Sequence, residues 1–316
     1  MSAPVPLDTA PFTGTADVSS SGFIQFGVET TPGTPPGSFT WLPVLYAGTT
    51  WPQVAPDRQQ IVVKGGSPNN VVAHLDRQSR VQMTLVAAMI PGADFTAFLA
   101  ACGLHTDGTG FLKPLPTLTI VDVYGAMGGY TYSNLMPNRL TFDGSSQNVP
   151  ATVTAEFWGI QKPVSQATAS TPPSATLAHD PYSWTDWLPP PSLIGATANM
   201  EVDRWQLMVD FGLTQFYGGG KAFATRQQPW NHVCSGGFTM LDADDEHKAF
   251  LAKTEGALEF KFATHDTTPL FLDIKVPRAV YMTFVRTEGD REYITDVVTF
   301  EAQTPDWKAP VNFTLG

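Results

Sequence analysis

Ala93-Asp94-Phe95-Thr96-Ala97-Phe98-Leu99-Ala100-Ala101 and Asp244-Asp245-Glu246-His247-Lys248-Ala249-Phe250-Leu251-Ala252-Lys253 are two short helix patterns containing the same Phe-Leu-Ala. Each follows one apolar strand-like run and precedes another. Working outward, Pro137-Asn138-Arg139-Leu140-Thr141-Phe142 is answered by Pro277-Arg278-Ala279-Val280-Tyr281-Met282-Thr283-Phe284. Each half closes on an alternating run, Thr152-Val153-Thr154-Ala155-Glu156-Phe157 and Val297-Val298-Thr299-Phe300-Glu301-Ala302. The spacing between matched positions drifts by about a dozen residues, so it is the order of elements that repeats, with loops of different length. The sequence therefore predicts two copies of one β-rich unit, each carrying one short helix.

Composition agrees with a β-rich chain. Of 316 residues, 27 are Gly and 27 are Pro, which makes turns frequent and long helices unfavourable. Charged residues are only 15%, so Thr, Ser, Gly and Pro must supply much of the surface. The net charge is −11, from 29 acidic and 18 basic residues. Tight nucleic-acid binding requires clustered Lys and Arg that displace counterions, and no basic run longer than two residues occurs. An acidic surface repels phosphate, which suits a conduit for DNA. The two cysteines, Cys102 and Cys234, occupy non-equivalent places and are expected to be buried free thiols. Neither a secretory leader nor an apolar run of about 18 residues is present, which implies folding in a cytoplasm and no membrane span.

The expected organisation is an N-terminal arm over 1–20, a first β unit over 21–162, a Pro-rich linker over 163–196, a second β unit over 197–305 and a C-terminal arm over 306–316. In the first unit Val81, Met83 and Leu85 alternate with Arg80, Gln82 and Thr84, as in a half-buried strand. Phe95, Phe98, Leu99 and Cys102 share one helix face, and Gly103 is placed to end the helix. Tyr130-Thr131-Tyr132 and Arg139 to Phe142 read as strands, with Asp143-Gly144 as a turn signal. Residues 39–63 read as a long hairpin or as two strands with a projecting loop. In the second unit Asp242 or Asp244 is expected to cap the helix. Leu258-Glu259-Phe260-Lys261-Phe262 alternates as a solvent-facing antiparallel strand should.

Catalytic patterns are sparse. The six histidines have no metal-ligand spacing, and the acidic run 242–246 lacks the twelve-residue calcium loop. Gly218-Gly219-Gly220-Lys221 lacks the Walker spacing, and no Gly-x-Ser-x-Gly elbow occurs. The expectation is a protein that is not an enzyme and uses no cofactor.

With these elements in order, the chain resembles the tail tube (major tail) proteins of long-tailed bacteriophages. The resemblance rests on the strand-rich units with one short helix and on Ala155-Glu156-Phe157-Trp158-Gly159. It rests also on Lys275 to Tyr281 followed by Val298 to Ala302, and on the opening Gly27-Val28-Glu29-Thr30-Thr31-Pro32-Gly33-Thr34. It spans residues 20–305. It implies mostly β structure, with two tandem β-sandwich or barrel units, long loops and extended terminal arms. It further implies trimers that mimic six-fold rings, stacked into a tube in the virion tail and assembled in the bacterial host cytoplasm. The partners would be further copies of the chain, tape measure and tail terminator proteins, and DNA in transit.

Inter-ring contacts are expected from Trp41, Tyr46, Trp51, Phe313 and Leu315, apolar residues without a clear place in either unit. A neutral or acidic channel wall is expected, with Glu156, Asp203, Glu259 and Glu301 as candidates. The alternatives are a tail terminator or head–tail ring protein, and a β-sandwich carbohydrate-binding module using Trp184 and Trp187.

Overall fold

The computed structural model describes residues 22–42, 50–62, 71–104, 115–124, 129–145, 150–166, 179–182, 192–195, 202–219, 221, 223–230, 232–241, 243–264, 268, 270–288, 294–303 and 311–315. The first elements are β1 (Gly22–Val28), β2 (Thr40–Leu42), β3 (Thr50–Val62), β4 (Val71–Ala88), α1 (Ala93–Ala101), β5 (Leu118–Tyr124), β6 (Gly129–Ser145), β7 (Thr152–Gly159) and β8 (Val164–Gln166). They are followed by β9 (Val202–Asp210), β10 (Leu213–Phe216), β11 (Arg226–Pro229), β12 (Val233–Leu241), α2 (Asp244–Leu251), β13 (Glu255–Ala263), β14 (Phe271–Glu288), β15 (Ile294–Ala302) and β16 (Asn312–Leu315). The chain is mostly β. Fourteen strands form one antiparallel sheet system, and β10 and β11 form a separate hairpin.

The pairing order is the same on both sides of the chain. β4 pairs with β7, β7 with β6 and β6 with β5; β12 pairs with β15, β15 with β14 and β14 with β13. The short strands β8 and β16 pair with the N-terminal portions of β6 and β14 respectively. Both long strands carry a proline at a register shift, Pro137 in β6 and Pro277 in β14. Proline cannot donate to the ladder and is tolerated at a bulge.

α1 and α2 end alike. Leu104 N–H donates to the Leu99 carbonyl and Thr254 N–H to that of Ala249, each past a residue with positive φ: Gly103 at 84° and Lys253 at 51°. This closure satisfies the orphan carbonyls of the last turn. It aligns Leu99 with Ala249, so the two Phe-Leu-Ala triplets are out of phase. Leu99 is fully buried, whereas Leu251 is 67% exposed. The helix ends thus correspond, whereas the two Phe-Leu-Ala tripeptides do not align.

A single apolar cluster runs through both halves. Phe98 of α1 meets Phe26 and Phe157 edge-on at 5.5 and 6.5 Å, and Trp205 of β9 packs on Phe260 and Phe262 at 5.3 and 5.0 Å. Val81, Met83 and Leu85 are buried, as are Leu258, Phe260 and Phe262, so the alternation is obeyed in both strands. Cys102 and Cys234 are free and buried.

Several expectations are corrected. Asp143-Gly144 is no turn: both residues lie inside β6, which runs unbroken from Gly129 to Ser145. Gly144 is required by packing, because a Cβ there would sit 2.2 Å from the Trp205 indole nitrogen. Of the two readings of residues 39–63, the two separate strands hold and the hairpin does not, since β2 pairs with β1 and β3 with β4.

Asp244 does not cap α2. The N-cap is Ala243, whose N–H donates to Asp296 of β15 at 2.9 Å, while Asp244 accepts from Arg286 at 2.8 Å. Part of the 163–196 segment is integrated: β8 joins the sheet, and Tyr182 is buried, with backbone bonds to Met89 and Ala151. Within the expected C-terminal arm, β16 pairs with β14 and Phe313 is buried in the core 4.9 Å from Phe142. Residues 1–20, Tyr46, Trp184, Trp187 and Asp242 lie outside the described residues.

Candidate functional site

The principal sheet has one face turned to the core and one turned outward, and the outward face crosses both halves. Register places residues side by side along rows. One row runs Val86, Thr154, Thr141, Met208, Ser235, Glu301, Val280 across β4, β7, β6, β9, β12, β15 and β14. A neighbouring row runs Ala88, Thr152, Asp143, Gln206, Gly237, Thr299, Thr283. On either side lie Thr84, Glu156, Arg139, Asp210 and Ser145, Arg204, Thr239, Val297, Val285. These rows contain four carboxylates, two guanidiniums and no lysine, set among hydroxyls.

The face is joined across the middle by β9, which pairs with β12 on one edge and with β6 on the other. Ion pairs lace the β6–β9 seam. Arg139 lies 3.0 Å from Asp210, Arg204 lies 2.8 Å from Asp143, and the Gln206 amide donates to Asp143 at 3.2 Å. All are partly solvated, so each contributes only about 0–1 kcal/mol and serves mainly to fix register.

The corresponding edge of β14 is unpaired among the described residues. β13 pairs with β14 from Phe271 to Val280, and from Tyr281 onward no described residue pairs with that edge; β15 and β16 occupy the opposite one. Met282 and Val285 are 52% and 53% exposed, and Val297, beside Val285, is 37% exposed. The outer edge of β3 is likewise unpaired among the described residues. β4 continues past its contact with β7, so Val54–Val62 and Val71–Val81 form a two-stranded ribbon beyond the sheet.

The anticipated wall residues have different fates. Glu156 and Glu301 lie on the outward face at matching positions, opposite Thr84 and Ser235. Glu156 accepts from the Trp158 indole at 2.7 Å and from the Gln82 and Asn138 amides at 3.3 Å each. Glu259 is held among lysines, 2.7 Å from Lys261 and 3.6 Å from Lys275, and the Lys261 ammonium bonded to it holds its carboxyl below the usual range. Asp203 is exposed at a register shift of β9.

Of the anticipated contact residues, Trp41 is half-buried and packs with Phe39 on Val121. Trp51 lies on β3, and Leu315 stands opposite Leu272 on β16. Phe313 belongs to the core, which removes the reason for assigning it to a contact between rings.

Sequence reasoning missed Arg139, Asp143, Arg204 and Asp210, because their partners lie far along the chain and no local pattern marks them. The open β14 edge did leave a signal: Val280-Tyr281-Met282 and Phe284-Val285 are apolar on both faces, as strands covered on both sides are.

Other chemistry is limited. Glu246 of α2 is buried, accepts from Gly195 N–H at 3.1 Å and from the Tyr281 hydroxyl, and is pushed above the usual carboxylate range by burial. Among the described residues no group of three or more His, Cys, Asp and Glu could hold a metal ion, and no helix is long and apolar enough to cross a membrane. No protein-family model matches the chain, and no curated protein matches it significantly.

Proposed function

We propose that the chain is a ring-forming structural protein of a long-tailed bacteriophage tail tube, built from two tandem tube-like units over 21–162 and 197–305. Three chains close a pseudo-six-fold ring, and stacked rings form the conduit for DNA. The observation that carries this reading is the shared pairing order of the two halves, together with the β6–β9 seam and its open counterpart on β14. One unit already hands its sheet edge to the next within the chain. The same join repeated between chains extends the sheet, and closure into a barrel removes every exposed edge.

The outward face, rich in Thr and short of cations, suits a channel wall that does not hold phosphate. The β3–β4 ribbon suits a contact between successive rings, because a two-stranded ribbon alone is marginal in water and gains stability from a partner. Trp51 lies on it. On this reading the protein resides in the virion tail, meets tape measure and tail terminator proteins at the tube ends, and performs no catalysis.

Mass measurement of assembled particles, with negative-stain imaging, tests the proposal. Rings of three chains are expected. Rings of six chains would overturn the two-unit trimer. A monomer at all concentrations, binding sugar, would point to the carbohydrate-binding alternative.

A further inference from the structure

Residues 192–195, from the segment that links the two halves, form a short strap. Ser192 exchanges both backbone hydrogen bonds with Glu259 of β13, each at 2.9 Å, on the edge that β14 does not occupy. Leu193 is buried in the core, and Ile194 lies against Gly256. Gly195 sits on the first turn of α2, where a Cβ would come within 2.5 Å of the Asp245 carbonyl oxygen. The strap thus covers the outer edge of β13 at Glu259 and meets the helix at a point with no room for a side chain.

One side chain fastens its far end. Glu246 of α2 is fully buried, and its Oε2 accepts from Gly195 N–H at 3.1 Å and from the Tyr281 hydroxyl. The Tyr281 oxygen in turn accepts from Ile194 N–H at 3.2 Å. The other carboxyl oxygen of Glu246, Oε1, is buried with no hydrogen-bond partner among the described residues. An ionised carboxylate so placed has charge on an atom without a donor, which is costly away from water; a neutral carboxyl largely avoids that cost. Burial, with a smaller contribution from the Asp245 carboxylate, raises the Glu246 pKa, although the Tyr281 and Gly195 bonds favour the ion.

Neighbouring cations are engaged elsewhere. Lys248 pairs with Asp245, Arg286 with Asp244 and Asp296, Arg278 with Glu255, and Lys261 and Lys275 with Glu259. His247 stacks on Phe284. From β14 the titratable group that meets Glu246 is the Tyr281 phenol, and residues 192–195 contain none.

We infer that Glu246 is a protonation latch: neutral, it holds residues 192–195 on β13 and α2, and ionised, it releases them and bares the β13 edge at Glu259. Release lets water reach the carboxylate, so the open state binds the proton with ordinary carboxylate affinity and the closed state binds it more tightly. The latch's contribution to the closed state is fully present below the ordinary carboxylate range and is lost as pH rises through the raised value. Between the two values the ratio of closed to open falls by about tenfold per pH unit. A bared edge offers unpaired backbone groups to another strand. The latch operates within one chain and is independent of ring formation.

Hydrogen exchange of the full chain across pH, corrected for the base-catalysed intrinsic rate, reads the latch. In the native chain, protection of the Ser192, Ile194 and Gly195 amides should fall by up to about tenfold per pH unit across the window. Protection of the Leu104 amide, at the end of α1, should stay constant. Glu246→Gln keeps a neutral acceptor for Tyr281 and Gly195 and should hold the strap's protection constant with pH. Carbon-13 titration of the glutamate carboxyls in the native chain gives a second reading that needs no variant: one carboxyl should titrate above the ordinary range, in the same pH window. Equal pH profiles of strap protection in the native and Glu246→Gln chains would overturn the latch. So would a native chain in which every glutamate carboxyl titrates in the ordinary range.

Discussion

Glu29 lies in the opening segment that carries part of the resemblance, and its role is structural. Its carboxylate accepts the Thr119 hydroxyl, the Asn134 N–H and the Gly33 N–H, each at 2.7 Å, while its own N–H donates to Thr117. Gly33 and Asn134 both have positive φ, at 83° and 57°, so one buried carboxylate ties a turn after β1 and an irregular point of β6 to β5. Bonds to a charged acceptor are worth about 1.5–3 kcal/mol each, and a buried donor left alone costs a similar amount. Glu29→Ala should therefore lower unfolding stability by about 3 kcal/mol in a denaturant titration. A loss under about 1 kcal/mol would show that water replaces the carboxylate. The sequence displayed Glu29 before a turn-rich loop; that its partners sit near residues 119 and 134 was not legible there.

At the scale of elements, α2 is fastened to β14 through its first turn. Arg286 bridges Asp244 and Asp296, and Phe284 stacks on His247 at 4.7 Å. Glu246 joins Tyr281 to the Ile194–Gly195 segment, where Ile194 N–H donates to the Tyr281 hydroxyl at 3.2 Å.

The two acids pull stability in opposite directions with pH. Burial raises the Asp296 pKa, but the Arg286 and Ala243 bonds outweigh it and hold the carboxyl below its usual range. Its contribution is present above the ordinary carboxylate pKa and is lost as pH falls through the lowered value. Glu246 is raised, so the folded chain binds its proton more tightly than the unfolded chain. Stability is then lost as pH rises from the ordinary carboxylate range through the raised value.

Glu246→Gln keeps an acceptor for Tyr281 and Gly195 and removes this titration. Relative to the native chain, the variant should gain stability as pH is raised across that window. Parallel stability curves for the two proteins would refute the assignment. The acidic helix start was evident in the sequence. The division of labour among its carboxylates depends on β14 and β15 lying beneath it.

At the scale of the whole molecule, the outward face joins both halves into one surface whose rows hold no lysine. The net charge of −11 reinforces its character. Assembled protein should not retard duplex DNA in a gel-shift or filter assay, even at about 10 mM salt, where the Debye length is about 30 Å and any attraction would be strongest. Salt-sensitive retention with a steep slope would mean that cations elsewhere line the passage, and would contradict a neutral or acidic wall.

The sequence by itself determined the β-rich class, most strand positions, the place and end of α1, the burial of both thiols and the order of elements that repeats. These properties are local: alternation at period 2 records which side chains turn from water, and a glycine such as Gly103, free to take positive φ, lets a helix close its last turn. The tertiary structure alone decided which strand lies beside which. It made Asp143-Gly144 part of a strand under Trp205, drew Phe313 into the core, replaced an expected cap by Asp296, and joined β6 to β9. Strand partners are chosen by long-range burial and register, and a pair such as Arg139 and Asp210 has no signature in the residues around either member.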